Sequence, residues 1–182
     1  MTAAPIISRL DSSADHDAAI DQLSDVLIDC VDGGASVSFM WPLPRDHARA
    51  FWRGVLQSAA AGERIVLVSR DADGLIDGTV QVVLAQPDNQ PHRGDIAKML
   101  VHRRSRKRGL GAALMTAAEE AAALAGKDLL VLDTVTGGDA ERLYGRLGWQ
   151  RVGEIPGYAL WPRGGRCGTT LYFKTVGEGA ID

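Results

Sequence analysis

The chain has 182 residues, enough for one domain with its own core and too few for a second of comparable size. Apolar residues make up 46% and charged residues 24%, ordinary for a soluble globular chain, and a net charge of −3 supplies no overall field favouring nucleic acid or an anionic membrane. No apolar run approaches the roughly 20 residues that span a bilayer.

The opening MTAAPIISRLDSSADHD lacks both a basic n-region and an apolar h-region, so no secretory signal is expected. Cys30 and Cys167 lie far apart and form no CxxC motif, which suits a cytoplasmic protein with free thiols. His16, His47, His92 and His102 show no metal-ligand spacing, and no metal is expected.

Ile6 to Leu10 reads as a first strand, bounded by Pro5 and Asp11-Ser12-Ser13. From about Asp15, Ile20, Leu23, Leu27 and Val31 recur at helical steps until Gly33-Gly34. A loop from Ala35 to Pro44 carries Phe39, Met40 and Trp41, and a second helix runs from Arg45 to Ala61. The period then changes. Arg64 to Arg70 and Ile76 to Ala85 form a hairpin across the Asp71-Ala72-Asp73-Gly74 turn, and Asp95 to Val101 follows as another strand. An Ala-dense helix spans Leu110 to Leu124, and Leu129 to Leu132 suits a strand buried on both faces. Asp139 to Arg146 is a short helix stopped by Gly148. Two last strands, Trp149 to Glu154 and Thr170 to Thr175, are joined by a loop rich in Gly and Pro. The order predicts a single α/β domain over residues 1–182 with a mixed sheet.

The most informative segment is Asp95-Ile-Ala-Lys-Met-Leu-Val-His-Arg-Arg-Ser-Arg-Lys-Arg-Gly-Leu-Gly-Ala-Ala-Leu114. Here a strand ends in a basic turn that opens directly into a helix. The first turn of a helix has unpaired N–H groups and the positive end of the macrodipole. Gly109 and Gly111 remove side chains that would hold a phosphate off those amides, and Arg103, Arg104, Arg106, Lys107 and Arg108 add positive charge. That combination suits a diphosphate. It is not a Walker P-loop, which needs G-x-x-x-x-G-K-[ST], nor a Rossmann loop, because the third glycine position holds Leu114.

Arg106-Lys107-Arg108-Gly109-Leu110-Gly111 resembles the R/Q-x-x-G-x-G/A signature of the GNAT acetyltransferases. Ala140-Glu141-Arg142-Leu143-Tyr144-Gly145-Arg146-Leu147-Gly148-Trp149 looks like that family's A-x-x-L-Y-x-x-x-G-F/W segment, in the right order behind it. The resemblance covers roughly Glu63 to the C-terminus. It implies the GNAT fold, a mixed sheet of about seven strands flanked by about four helices, and transfer of an acetyl group from acetyl-CoA to an amine. A narrower likeness, carried by Gly33-Gly34-Ala35-Ser36-Val37, Leu132-Asp133-Thr134, Gly153 to Tyr158 and Leu171 to Thr175, is to the tabtoxin-resistance acetyltransferases, which modify the amino group of a small β-lactam toxin.

The resemblance also implies roles. Pantetheine would lie along Met99, Leu100 and Val101 where the fourth and fifth strands part, held by main-chain groups of Met99 and Val101. The amides of Arg106, Lys107, Arg108, Gly109, Leu110, Gly111 and Ala112 would take the pyrophosphate. Tyr144 sits where the family places the general acid for the departing thiolate. Asp95 and Asp133, both expected to open toward the cleft between those strands, are candidates for the base that deprotonates the acceptor amine. A carboxylate at Asp133, placed at the end of its strand, would need partners or a raised pKa if buried. Gly137 stands where many relatives have an asparagine that touches the cofactor.

The expected acceptor is a small amino compound such as an amino-acid-like toxin, antibiotic or metabolite, attacked directly in a ternary complex. Acceptor alternatives are a peptide N-terminus or a protein lysine. A CoA sensor without turnover is the non-enzymatic alternative. The loop between the first two helices would discriminate the acceptors, since an open groove there suits a peptide and a closed pocket a metabolite. Phe39, Met40 and Trp41, with Tyr158 and Trp161 on the loop before the last strand, either line the acceptor pocket or pack as ordinary loops. Tyr158 and Trp161 could also meet a partner subunit. No nucleic-acid or membrane partner is expected, and family members of this size allow for a homodimer.

Overall fold

The computed structural model describes residues 5–10 and 16–177. The strand boundary at Asp11-Ser12-Ser13 and the helix start at Asp15 lie outside them. In chain order the elements are β1 (Ile7–Arg9), α1 (His16–Asp32), α2 (Arg45–Ala60), β2 (Arg64–Arg70), β3 (Ile76–Val83), β4 (Arg93–Val101), α3 (Leu110–Leu124), β5 (Leu129–Val135), α4 (Asp139–Arg146), β6 (Gln150–Leu160) and β7 (Arg166–Thr175). A 3-10 turn at Arg103–Ser105, absent from the sequence reading, separates β4 from α3.

The strands form one seven-stranded sheet in the order β1-β2-β3-β4-β5-β7-β6. Among the described strands, only β4 and β5 run parallel. Alternation along the central strands feeds two cores. Val66 and Val68 of β2, with Ile76 and Leu100, pack against α1 and α2. Ile65 and Leu67, with Val80, Val82 and Ile96, pack against Leu110, Leu114 and Met115 of α3. This mixed α/β sandwich is the expected fold class.

Three details of the sheet position everything that follows. First, β4 and β5 pair only over Arg93–Asp95 and Leu129–Val131. Beyond those residues β4 stays with β3 as far as Val101, while β5 stays with β7 as far as Val135, so the two parallel strands part. Second, Gln81 pairs with Ala97 and Thr79 with Leu100, leaving Lys98 and Met99 opposite Val80 alone. The bulge is made by Lys98 in the left-handed region at φ 49°. Third, β5 runs on through Asp133 to Val135, beyond the end expected at Leu132. Its residues alternate between buried and more accessible rather than being buried on both faces.

The last hairpin corrects the sequence reading. The expected Gly- and Pro-rich loop is mostly strand, and the connection shrinks to residues 161–165, closed by Trp161 N–H to the Gly165 carbonyl at 2.9 Å. Pro156 and Gly157 are tolerated because β6 is the outer strand and its register breaks between Ile155 and Ala159.

Gly78 of β3 lies directly beneath the start of α3. A Cβ there would stand 2.8 Å from Ser69 Oγ, 3.0 Å from Leu114 Cδ1 and 3.2 Å from Leu110 Cδ2. Gly78→Ala should therefore cost about 1–3 kcal/mol by overpacking. Urea unfolding will read this as a lower midpoint at unchanged slope; an unchanged midpoint would mean that Ser69 and the two leucines yield freely.

Candidate active site

Where β4 and β5 part, a cleft of about 1130 Å³ opens, bounded by both strands, the turn into α3, the inner side of α4, residues 35–40 and the tip of the β6–β7 hairpin. One end is built from main chain. Gly109 caps α3 in the left-handed region at φ 81°, and Lys107 before it has φ 61°. Neither a capping side chain nor an acidic first-turn residue meets the amides of Leu110, Gly111 and Ala112. Those donors and the helix dipole are available to an anion in the cleft.

The two glycines of this turn have different physical reasons. Open space surrounds the Cβ position of Gly109, whose requirement is its dihedral angle. A Cβ on Gly111 would instead press Leu143 Cδ2 at 3.1 Å, so this glycine lets α3 approach α4. Clearing room for a phosphate, as expected from the sequence, therefore describes the space at Gly109 and not that at Gly111.

The basic residues also divide. Arg103 donates from N–H and Nε to the Asp29 carboxylate at 2.8 and 2.9 Å. Burial alone would raise the pKa of Asp29, yet the hydrogen bonds from Arg103 and the charges of His102 and Arg103 hold it below the usual value. Arg104 reaches Asp71 and the Ile76 carbonyl, both at 3.2 Å. Arg106 donates through Nε to the Val101 carbonyl at 3.0 Å. Three of the five cations thus brace the turn, and only Lys107 and Arg108 have side chains without a partner among the described residues.

Along β4, His102 N–H donates to the Asp77 carbonyl on the β3 side. Alternation then turns the main-chain groups of Met99 and Val101 toward the gap and those of Leu100 toward β3.

At the centre stands Tyr144 of α4, 5% exposed, with its ring 6.1 Å from those of Trp149 and Tyr172. Its hydroxyl makes no hydrogen bond among the described residues, and the residue borders the cleft. Burial, followed by the nearby Asp133 charge, pushes the phenol pKa well up, so it stays protonated. Asp133 borders the cleft too and is exposed rather than buried, accepting from Thr169 Oγ1 at 2.8 Å.

Asp95 does not open toward the cleft. It lies in the short stretch where β4 and β5 still pair, and its carboxylate is held by Arg93 at 2.5 Å and Gln86 at 3.1 Å. Gly137 adopts φ 77° and donates its N–H to Glu141, whose other oxygen accepts from Tyr172 at 3.1 Å. This glycine serves the β5–α4 turn. Lys98, which the sequence reading passed over, reaches Ser38 Oγ at 3.0 Å and stands 5.8 Å from the centre of the Phe51 ring. A single charged residue inside the apolar run Ile96 to Val101 was the available signal.

At the far end two segments meet. Ser36 Oγ donates to the Leu160 carbonyl at 2.8 Å, and Trp41 N–H to the Pro162 carbonyl at 2.9 Å. The Arg163 guanidinium lies 4.5 Å over the Trp41 ring and donates to the Asp32 carbonyl at 3.1 Å. The loop after α1 and the β6–β7 hairpin are thereby tied together. Phe39 both borders the cleft and packs edge-on against Phe51, so lining and packing coincide there. Tyr158, on strand β6 rather than in a loop, and Trp161 also border it.

Residues 61–151 match the sequence profile of the acetyltransferase (GNAT) domain. Over 129 residues the chain is 32% identical to the uncharacterized N-acetyltransferase of the hisH-hisA intergenic region of Azospirillum brasilense, covering 70% of this chain and 73% of that one. Its fold is similar to that of a GCN5-related N-acetyltransferase from Kribbella flavida, with TM-score 0.77 at 20% identity, covering 95% and 98% of the two chains. The fold is also similar to a Sinorhizobium meliloti phosphinothricin acetyltransferase in complex with acetyl-CoA, with TM-score 0.77 at 14% identity, covering 96% and 90%.

An ordinary phenol ionises near pH 10. Because the folded pKa of Tyr144 lies above that, the native state keeps a proton that the unfolded chain releases once pH passes 10. Stability should be full below pH 10 and fall as pH rises beyond it. Urea unfolding from about pH 9 to about pH 11 should record the fall, and Tyr144→Phe should flatten part of it; an unchanged slope in the variant would assign the effect to other groups.

Proposed function

The chain belongs to the GNAT family and is an acetyl-CoA-dependent acyltransferase, and on that premise we propose that it acetylates the amino group of a small molecule by direct attack in a ternary complex. The observation that carries the choice of acceptor is the tie between those two segments. The Ser36–Leu160 and Trp41–Pro162 hydrogen bonds and the Arg163–Trp41 stack join the loop after α1 to the β6–β7 hairpin across the acceptor end, an arrangement that suits a small acceptor better than an extended peptide. The narrower likeness to tabtoxin-resistance acetyltransferases supports an amino-acid-like toxin, antibiotic or metabolite. The exposed outer strand β6, with Val152 64% and Ile155 43% accessible, is the surface we assign to a homodimer.

Acetyl-CoA supplies the thioester carbonyl that the acceptor amine attacks. In this reading the main-chain groups of Met99 and Val101 hold pantetheine in the gap, with Leu100 anchoring the strand to β3. The turn from Arg106 through Lys107, Arg108, Gly109, Leu110 and Gly111 to Ala112 receives the pyrophosphate on its amides, and Lys107 and Arg108 contribute the charge that Arg106 has committed to Val101.

Asp133 takes the amine proton, directly or through water, since an ordinary ammonium is charged at neutral pH and cannot attack. Thr169 fixes the carboxylate for this. Asp95, tied to Arg93 and Gln86 outside the cleft, is left to anchor the base of the strand pair. Tyr144 gives its proton to the departing sulfur. Burial keeps the phenol neutral, so it carries the proton that a thiolate formed beside it would accept.

Purified protein with acetyl-CoA and a panel of amino acids, β-lactam toxins, aminoglycosides, polyamines and short peptides should release CoA thiol with one class of small amine. Tyr144→Phe should lower kcat about 10²- to 10⁴-fold while acetyl-CoA still binds. Turnover of peptides alone would refute the small-molecule acceptor, and binding without any turnover would favour a sensor.

A further inference from the structure

The acceptor half of the cleft holds one cation and one anion among its described residues. Around Lys98 and Asp133 the wall is neutral: Ala35 to Met40 on one side, and Tyr158 to Trp161 with Gly168 and Thr169 on the other. The remaining charged residues of the cleft, among them Arg106, Lys107, Arg142 and Arg146, belong to the turn into α3 and to α4.

Lys98 is half-buried, yet it has no ion pair among the described residues. Its ammonium makes one hydrogen bond, to the neutral Ser38 Oγ, and faces the Phe51 ring. At least one further N–H donor is unmatched. Half-buried charges are expensive unless paired and hydrogen-bonded, and an aromatic ring and a hydroxyl pair this one only in part. The left-handed bulge is what aims it: without the extra residue opposite Val80, side chains beyond Ala97 would fall on the opposite faces of β4. Burial lowers the proton affinity of Lys98, the Asp133 charge works against that, and Arg64 adds to it. An anion beside the ammonium would restore that affinity.

We propose that Lys98, with Ser38 beside it, is the residue that selects the acceptor, by binding a carboxylate carried next to the amine that Asp133 deprotonates. This rests on the small-amine reading above and gives it a chemical class: zwitterionic amino acids and their analogues, against polyamines and aminoglycosides. The cleft then offers the substrate one cation and one anion, each opposite in sign to one of the substrate's own two charges. The acid group of the acceptor stays unchanged through the reaction, and only its amine gains the acetyl group.

The test compares, for any amino acid the enzyme turns over, kcat/KM for that amino acid and for its primary amide, in the wild type and in Lys98→Met and Lys98→Arg. The amino acid should be preferred by about 10- to 100-fold, the range expected for a hydrogen-bonded charge pair. Lys98→Met should bring the ratio close to one, chiefly through KM, while Lys98→Arg should keep most of it. A structural lesion would lower both acceptors alike and leave the ratio standing. As a check on the unaltered enzyme, propionate should inhibit competitively against the acceptor. Preference for the amide or for cationic amines, or a ratio that survives Lys98→Met, overturns the proposal while leaving the small-amine function intact. Absence of turnover with every amine, despite bound acetyl-CoA, removes the functional reading and this one together.

Discussion

The parting of β4 from β5 is the constraint on which the rest of the structure depends. Two parallel strands are hydrogen-bonded over Arg93–Asp95 and Leu129–Val131, and beyond that each keeps only its outer partner. Main-chain groups that would pair in a continuous sheet are left facing a gap. Unpaired backbone inside a protein is costly, so such a gap is a place for a ligand that can supply the missing partners. The turn into α3 adds the second set of unpaired donors at the same rim. One strand end and one helix start, each incomplete alone, meet across the cleft.

That arrangement needs rigid support, and much of the charge in the region is spent on it. Arg103 ties the 3-10 turn to α1 through Asp29, Arg104 ties it to the β2–β3 turn through Asp71, and Arg106 folds back on Val101. On the other wall, Glu119 of α3 receives Trp149 Nε1 at 2.9 Å and Lys174 Nζ at 2.7 Å, fixing the segment behind Tyr144 to both α3 and β7. A turn full of arginines looks from its composition like an anion trap. Its geometry is that of a brace, with the first amides of α3 left without a capping side chain.

How much of this was legible in the sequence follows from the range of the interactions involved. The limits of α3 and α4 were, because a left-handed glycine at 109 and a stop at Gly148 are local events with local signatures. The placement of Tyr144 against the cleft came with the motif on α4. The β6–β7 hairpin was not legible, because Pro156 and Gly157 argue against a strand until one knows that β6 is the outermost. Asp95 could not be placed either: its distance from the cleft depends on where β4 stops pairing with β5, a property of two segments far apart in sequence. Lys98 was hidden for the same reason, since the bulge that turns it depends on register with Val80.

The two ends of the cleft use different kinds of matter, and that difference bears on how one fold serves many acceptors. The donor end is mostly main chain, which side-chain substitution leaves in place provided Gly109 can hold its dihedral angle and Gly111 its close approach to Leu143. The acceptor end is mostly side chain and loop. In the proposed reading it rests on Lys98, on Asp133, and on two segments joined through Ser36, Trp41 and Arg163. Each of these can be exchanged without disturbing the strand pair or the helix start beneath it. On the proposed reading, a change of acceptor asks for new residues at the bulge and in two loops, while the end proposed for the cofactor is held by backbone geometry that most side-chain substitutions leave in place. At the bulge the two kinds of matter come from neighbouring residues, since Lys98 lends its side chain to the half proposed for the acceptor and the next residue, Met99, presents main chain to the gap.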